Sequence, residues 1–214
     1  MKLLKRSICL LIVLLPVRLI AQGLSANQEQ TSGLTQARPW EFGLMGGFLF
    51  STIEGDLTDQ HSYIGDFSAG AYGSVQIFPP LGLMIELYYA GLGTGFASIG
   101  DSKLHFNYLV LPVLFTYEFR PKFTTGLGPY FGILLNARDQ GDDFEENITD
   151  LITGLDVGVK IGVYYQVSEM INLGVSFNRG FINTQSGERV STFKQYNQSI
   201  MFTTSINLTR ILTH

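Results

Sequence analysis

From Trp40 onward, apolar and polar residues alternate with a period of two, and the alternation recurs in eight segments. Within residues 40–51, Trp40, Phe42, Leu44, Phe48 and Phe50 share one parity, while Glu41, Gly43, Gly47 and Ser51 take the other. Residues 66–78 set Phe67, Ala69, Ala71, Val75 and Ile77 against Asp66, Ser68, Tyr72, Ser74 and Gln76. The pattern returns in residues 81–89, 109–119, 123–136, 155–166, 171–178 and 199–208. Side chains of a strand point alternately to its two faces, so this pattern predicts a sheet with different surroundings on each side. Long polar connections at 52–64, 92–102, 138–153 and 182–196 alternate with tight turns at Pro79-Pro80, Arg120-Pro121-Lys122 and Ser168-Glu169. Long loops at one end and short turns at the other are the arrangement of bacterial outer-membrane barrels. The expected fold is all-β, an eight-stranded antiparallel up-and-down transmembrane β-barrel. An even strand count puts both termini at the short-turn end, which in such a barrel is the periplasmic one.

Parity alone does not say which face meets lipid, and composition decides it. Charged residues make up 15 % of the chain, against roughly 25 % in soluble domains. The polar parity holds mostly Gly, Ser, Thr, Asn and Tyr, a poor solvent-facing surface but a suitable filling for a narrow lumen. The apolar parity carries no charge through mid-strand, as lipid contact requires: a basic side chain there costs about 2–4 kcal/mol. Trp40, Tyr89, Tyr117, Phe119, Phe123 and Tyr165 lie near strand ends and are the predicted aromatic girdles. No apolar run reaches the roughly 20 residues of a spanning helix. Closure follows, because an open sheet edge in lipid leaves backbone groups unpaired.

The first residues predict export. Lys2, Lys5 and Arg6 precede an apolar stretch over residues 8–17, and Leu19-Ile20-Ala21 supplies a cleavage point after Ala21. The expected organisation is a signal peptide over 1–21, a flexible periplasmic tail over 22–39 and the barrel over 40–211, located in the cell outer membrane. Cys9 sits within the apolar run, so the mature chain has no thiol for a disulfide, nucleophile or metal. Removal of the leader leaves ten basic residues against eighteen acidic ones. That balance disfavours nucleic acid, whose phosphates need clustered Lys and Arg.

The segment Tyr108-Leu109-Val110-Leu111-Pro112-Val113-Leu114, followed by Gly128-Pro129-Tyr130-Phe131-Gly132 and Asp156-Val157-Gly158, resembles the PorT-type outer-membrane β-barrel family of Bacteroidetes. Phe42-Gly43-Leu44-Met45-Gly46-Gly47 and Gly180-Phe181-Ile182-Asn183 fit the same pattern, and the resemblance covers about residues 40–210. It implies an integral outer-membrane protein, in some members tied to secretion or gliding machinery. Val110 and Thr116 stand where that family usually has an acidic residue and a lysine.

Three candidate chemistries remain. Glu41, Glu86, Glu118, Asp156 and Lys160 share the inward parity and are the expected lumen charge network, since buried charges need partners. Asp139, Asp142, Asp143, Glu145, Glu146 and Asp150 crowd one long loop, and their oxygens suit a hard cation, including one shared with lipopolysaccharide. The spacing lacks the EF-hand order, and neither a resident metal nor a cofactor is expected. Lipid A deacylases are also eight-stranded barrels, with a histidine, a serine two residues later and a subsequent acid. Here His105 is followed by Asn107, which cannot act as the nucleophile, and Glu118 has the opposite parity to His105. The expectation is therefore a non-enzymatic barrel whose partners are outer-membrane lipid, lipopolysaccharide and, alternatively, a secretion or envelope complex.

Overall fold

The computed structural model describes residues 40–55, 61–96, 103–140, 145–184 and 194–212. They belong to one compact unit, Ala37–His214. The predicted leader and tail therefore lie outside the described residues. The eight long strands are β1 (Glu41–Gly55), β2 (Ile64–Phe78), β3 (Leu81–Phe96), β4 (Lys103–Arg120), β5 (Phe123–Gln140), β6 (Leu155–Gln166), β7 (Ile171–Gly180) and β8 (Gln195–Asn207). Each pairs antiparallel with its neighbours in sequence. β1 pairs with β8 from Gly43–Asn207 to Gly55–Gln195, and this closes the barrel. The ladder runs around the whole barrel, with mid-strand breaks where Pro112 and Pro129 lack an N–H, and so leaves no open sheet edge, the condition for crossing lipid with strands.

The barrel exchanges faces residue by residue. Phe48 is 72 % exposed and its neighbour Leu49 1 %; Phe115 is 69 % exposed and Leu114 0 %. The predicted apolar parity faces outward throughout, including Leu44, Phe67, Leu127, Ile161, Val175 and Phe202. Several strands run further toward the long-loop end than alternation predicts: β1 reaches Gly55, β3 Phe96, and β5 Gln140. Above the lipid-facing zone the outward residues become polar or glycine while Ile53, Leu92 and Ala137 on the inward face join the buried apolar cluster, so the apolar-outward alternation ends while the backbone ladder continues. The predicted 138–153 loop likewise contains regular structure. Glu145–Asn147 pairs with the end of β5, and Thr149–Leu151 forms a 3-10 turn. Thr149 Oγ1 accepts from Ala137 N at 2.9 Å and anchors that turn.

At the opposite end the connections are tight. Pro79-Pro80 joins β2 to β3, and Pro121-Lys122 joins β4 to β5 with Lys122 at φ 73°. A short C-terminal helix, Leu208–Leu212, follows β8 there. Thr209 Oγ1 accepts from Phe42 N at 2.8 Å, and Arg210 Nη2 binds Glu41 Oε1 at 2.8 Å. The two ends of the barrel segment are therefore fastened together at the short-turn end.

Candidate functional site

The lumen is the first candidate, and it divides into three levels. At mid-height, outward Ile161 and Val163 turn Lys160 and Tyr164 of β6 inward, while Ile85 and Leu87 do the same for Glu86 of β3. Lys160 Nζ lies 2.5 Å from Glu86 Oε2, and Tyr164 OH donates to Glu86 Oε1 at 3.1 Å. Tyr88 places its ring centroid 4.8 Å from the ammonium. Both charged side chains are essentially without solvent exposure. Burial of this kind is tolerated only when the charge is paired and its remaining bonding capacity is met.

Toward the long loops an apolar cluster fills part of the lumen, while Asn178, Asn197 and Ser199 keep its β7–β8 side polar. Leu49, Ile53, Leu92, Phe106, Ala137 and Met201 belong to one buried cluster. Ser51 Oγ accepts from Gly93 N at 2.9 Å, and the Thr52 and Thr94 hydroxyls lie 3.5 Å apart. These contacts join β1 to β3 directly, although β2 separates them in the sheet order. Beside this apolar packing, Asp156 Oδ2 accepts from Tyr130 OH at 3.1 Å and from Asn197 Nδ2 at 3.0 Å. Toward the short-turn end a cavity of about 240 Å³ opens, with Tyr72, Gln76, Glu118, Gln166 and Asn172 among its walls.

Of the five predicted lumen charges, the structure brings only Glu86 and Lys160 together. Asp156 bonds to neutral partners, Glu41 pairs with Arg210, and Glu118 stands in the cavity wall. Sequence reasoning missed Tyr88, Tyr130, Tyr164 and Asn197 as partners, and the apolar lining of the upper lumen. A signal was present: these residues sit on the inward parity, as do Leu49 and Ile53.

The outer surface is the second candidate. Five predicted girdle residues gather at the short-turn end, where Trp40 stacks with Phe42 at 6.1 Å and Phe123 lies 5.9 Å from Phe119 and 4.7 Å from Tyr165. Tyr117 is exposed beside them. Tyr89 lies apart, toward the long loops, 5.5 Å from Phe67. Its hydroxyl donates to Asn107 Oδ1 at 2.5 Å, and Asn107 Nδ2 donates to Asn136 Oδ1 at 2.5 Å. Above that chain His105 Nδ1 lies 3.7 Å from Asp66 Oδ2, and the backbone register sets His105 opposite Arg138. On the far side of the barrel Arg179 pairs with Glu54, bonds Gln198 at 3.2 Å and covers the Tyr196 ring at 5.6 Å. A polar collar thus borders the apolar belt at the long-loop end.

The predicted acidic loop does not assemble a cation site among the described residues, which hold no group of three potential metal-ligating side chains. Asp142 and Asp143 lie outside the described residues. Asp139 and Glu146 oppose each other across a backbone ladder, Glu145 pairs with Gln140, and Asp150 belongs to the 3-10 turn. His105 and Asn107 face outward near the long loops, whereas Glu118 faces the lumen at the other end. They form no common site.

A closed antiparallel barrel with an apolar outer belt and a filled lumen defines an outer-membrane β-barrel protein. The sequence matches the outer membrane protein beta-barrel domain over residues 21–186, and the chain belongs to that family. Among solved structures it is similar to Neisserial surface protein A, at 10 % identity and a TM-score of 0.53 over 80 % of this chain and 99 % of that one. It is also similar to the attachment invasion locus protein Ail of Yersinia pestis, at 11 % identity and a TM-score of 0.46 over 79 % and 99 %. A third similar structure is outer membrane protein OprG from Pseudomonas aeruginosa, at 12 % identity and a TM-score of 0.39 over 79 % and 94 %. Comparison with curated proteins returns no match. The likeness to Neisserial surface protein A shows the fold, and the family places the protein in the outer membrane.

Proposed function

We propose that this protein is a non-enzymatic, non-conducting outer-membrane barrel that acts through its long loops and its lipid-facing surface. The long loops face the cell exterior and the termini face the periplasm; residues 1–21 serve as the export signal and are removed. Its immediate partners are outer-membrane lipid and lipopolysaccharide. The PorT-type placement rests on the order of the motifs between Phe42 and Asn183. The observation that carries the functional reading is the mid-lumen ion pair of Glu86 and Lys160, capped on the long-loop side by apolar packing. The apolar side chains offer water and ions no bonding partners, and beside them Asn197 is bonded to Asp156 and Asn178 to Ser199.

Planar-bilayer recording of the refolded protein tests the closed lumen. The expected record is flat, and discrete conductance steps overturn the reading. Orientation is tested by labelling intact cells with an impermeant maleimide. Ser62→Cys, next to a long loop, is expected to react, and Glu169→Cys, in a short turn, to stay protected until the cells are opened. Stoichiometric capture of a fixed partner from native membranes would replace the lone-barrel reading with a component of a secretion or envelope complex.

A further inference from the structure

The outward face of β4 and β5 changes character abruptly with height. Leu109 and Ile133 oppose each other in the apolar belt, and Ile133 and Leu135 are about half exposed. A register shift at Asn107/Tyr108 then ends the apolar run. Beyond it, Leu104 packs against the buried cluster, Phe106 is 1 % exposed and Ala137 0 %. Alternation therefore points Lys103, His105 and Asn107 of β4 outward, together with Asn136 and Arg138 of β5. His105 and Arg138 are register partners, and Lys103 follows two residues along the same strand. Asp66 is the carboxylate beside His105. Gly91 makes this contact possible, because a Cβ at that position would collide with the Asp66 carboxylate.

We propose that Lys103, His105 and Arg138, with the Asn107 and Asn136 amides beneath them, form a binding site for the phosphate of a phosphorylated glycolipid in the surrounding leaflet. The chemistry is charge complementarity in a protein that is acidic overall: the register places three basic residues on one outward patch, and Arg and Lys are the usual phosphate donors. A lipid-borne phosphate is favoured over a free one by what lies below. Leu109, Ile133 and Leu135 continue the same outward face into the apolar belt, so acyl chains and headgroup phosphate meet matching surface on the same two strands. The site deepens the reading of lipopolysaccharide as a partner and rests on the long-loop end facing the leaflet that carries it.

Native mass spectrometry of the intact barrel released from detergent provides the test, with diphosphoryl lipid A, dephosphorylated lipid A and inorganic phosphate as probes. Wild type is expected to retain diphosphoryl lipid A. The variant K103Q/H105Q/R138Q, shown to be folded by its heat-modifiable mobility, is expected to retain it at least about tenfold more weakly, as loss of several charge-assisted bonds implies. Arg179→Gln, on the far side, is expected to bind as wild type does. Wild type should hold dephosphorylated lipid A no better than the triple variant holds the phosphorylated form. Equal retention by the triple variant, equal retention of the dephosphorylated lipid, or displacement of bound lipid by millimolar inorganic phosphate would each overturn the site. Should the triple variant fail to fold, Arg138→Gln against Arg138→Lys replaces it: weakening by the first and partial rescue by the second are expected, and equal behaviour overturns the site. Reversed maleimide labelling would instead overturn the orientation and leave the binding result standing, so the two failures are distinguishable.

Discussion

Lys160 and Glu86 are the side chains whose removal has the clearest consequence, because each is buried and each is the other's counter-charge. Glu86→Ala leaves an ammonium in the lumen with only Tyr88 against it. We expect a loss of about 3–5 kcal/mol, read from urea unfolding in lipid vesicles. Glu86→Leu combined with Lys160→Met removes both charges and fills the space, and is expected to fall within about 1.5 kcal/mol of wild type. Similar losses in the single and double variants would show that the pair is not coupled. Parity placed both residues in the lumen from sequence. It did not say that they meet at one height, nor that Glu41 at the rim would bind Arg210.

At the level of the strand, glycine positions determine where aromatic rings lie inside the barrel. A Cβ on Gly158 would run into the Tyr130 ring, and one on Gly174 would sit 2.8 Å from the Tyr164 ring. These glycines let the rings lie flat on the neighbouring strand, which brings Tyr130 to Asp156 and Tyr164 to Glu86. Gly158→Val is expected to displace Tyr130 and to destabilise by about 1–3 kcal/mol or more through overpacking. Gly46→Val is the matched control: its Cβ would meet only Ser68 O at 3.6 Å, an ordinary contact. Valine favours strands, so that variant is expected to fold in normal yield. Refolding yields from gel mobility shifts in detergent compare the two, and equal losses would remove the ring-accommodation account. The sequence showed these glycines on the polar parity, but not which ring each one admits, because that depends on the stagger between strands.

For the molecule as a whole, the proposed non-conducting lumen rests on two barriers in series. The ion pair stands at mid-height, and the Leu49–Phe106–Met201 packing, with the Ser51–Gly93 contact, lies toward the long-loop end. Replacing Glu86 and Lys160 by alanine is therefore expected to leave bilayer recordings flat. Adding Leu49→Gly and Phe106→Gly to that pair is expected to produce conductance steps. Steps from the first variant alone would show that the apolar segment is no barrier. Membrane position follows from the same architecture: an aromatic girdle at the short-turn end and a hydrogen-bonded polar collar at the other bracket the apolar belt.

Alternation, the composition of its two parities and the lengths of the connections determined the count of long strands, the outward set and the placement of both ends of the barrel segment beside the short turns. Those properties are local, since a strand's two faces and a connection's length are both read along the chain. Tertiary structure alone decided which inward residues face one another, that an apolar cluster forms in the upper lumen, and that His105 and Arg138 lie side by side. Those depend on register between strands tens of residues apart. Periodicity assigns each side chain to a face but not to a height, and height is what brings charge to counter-charge.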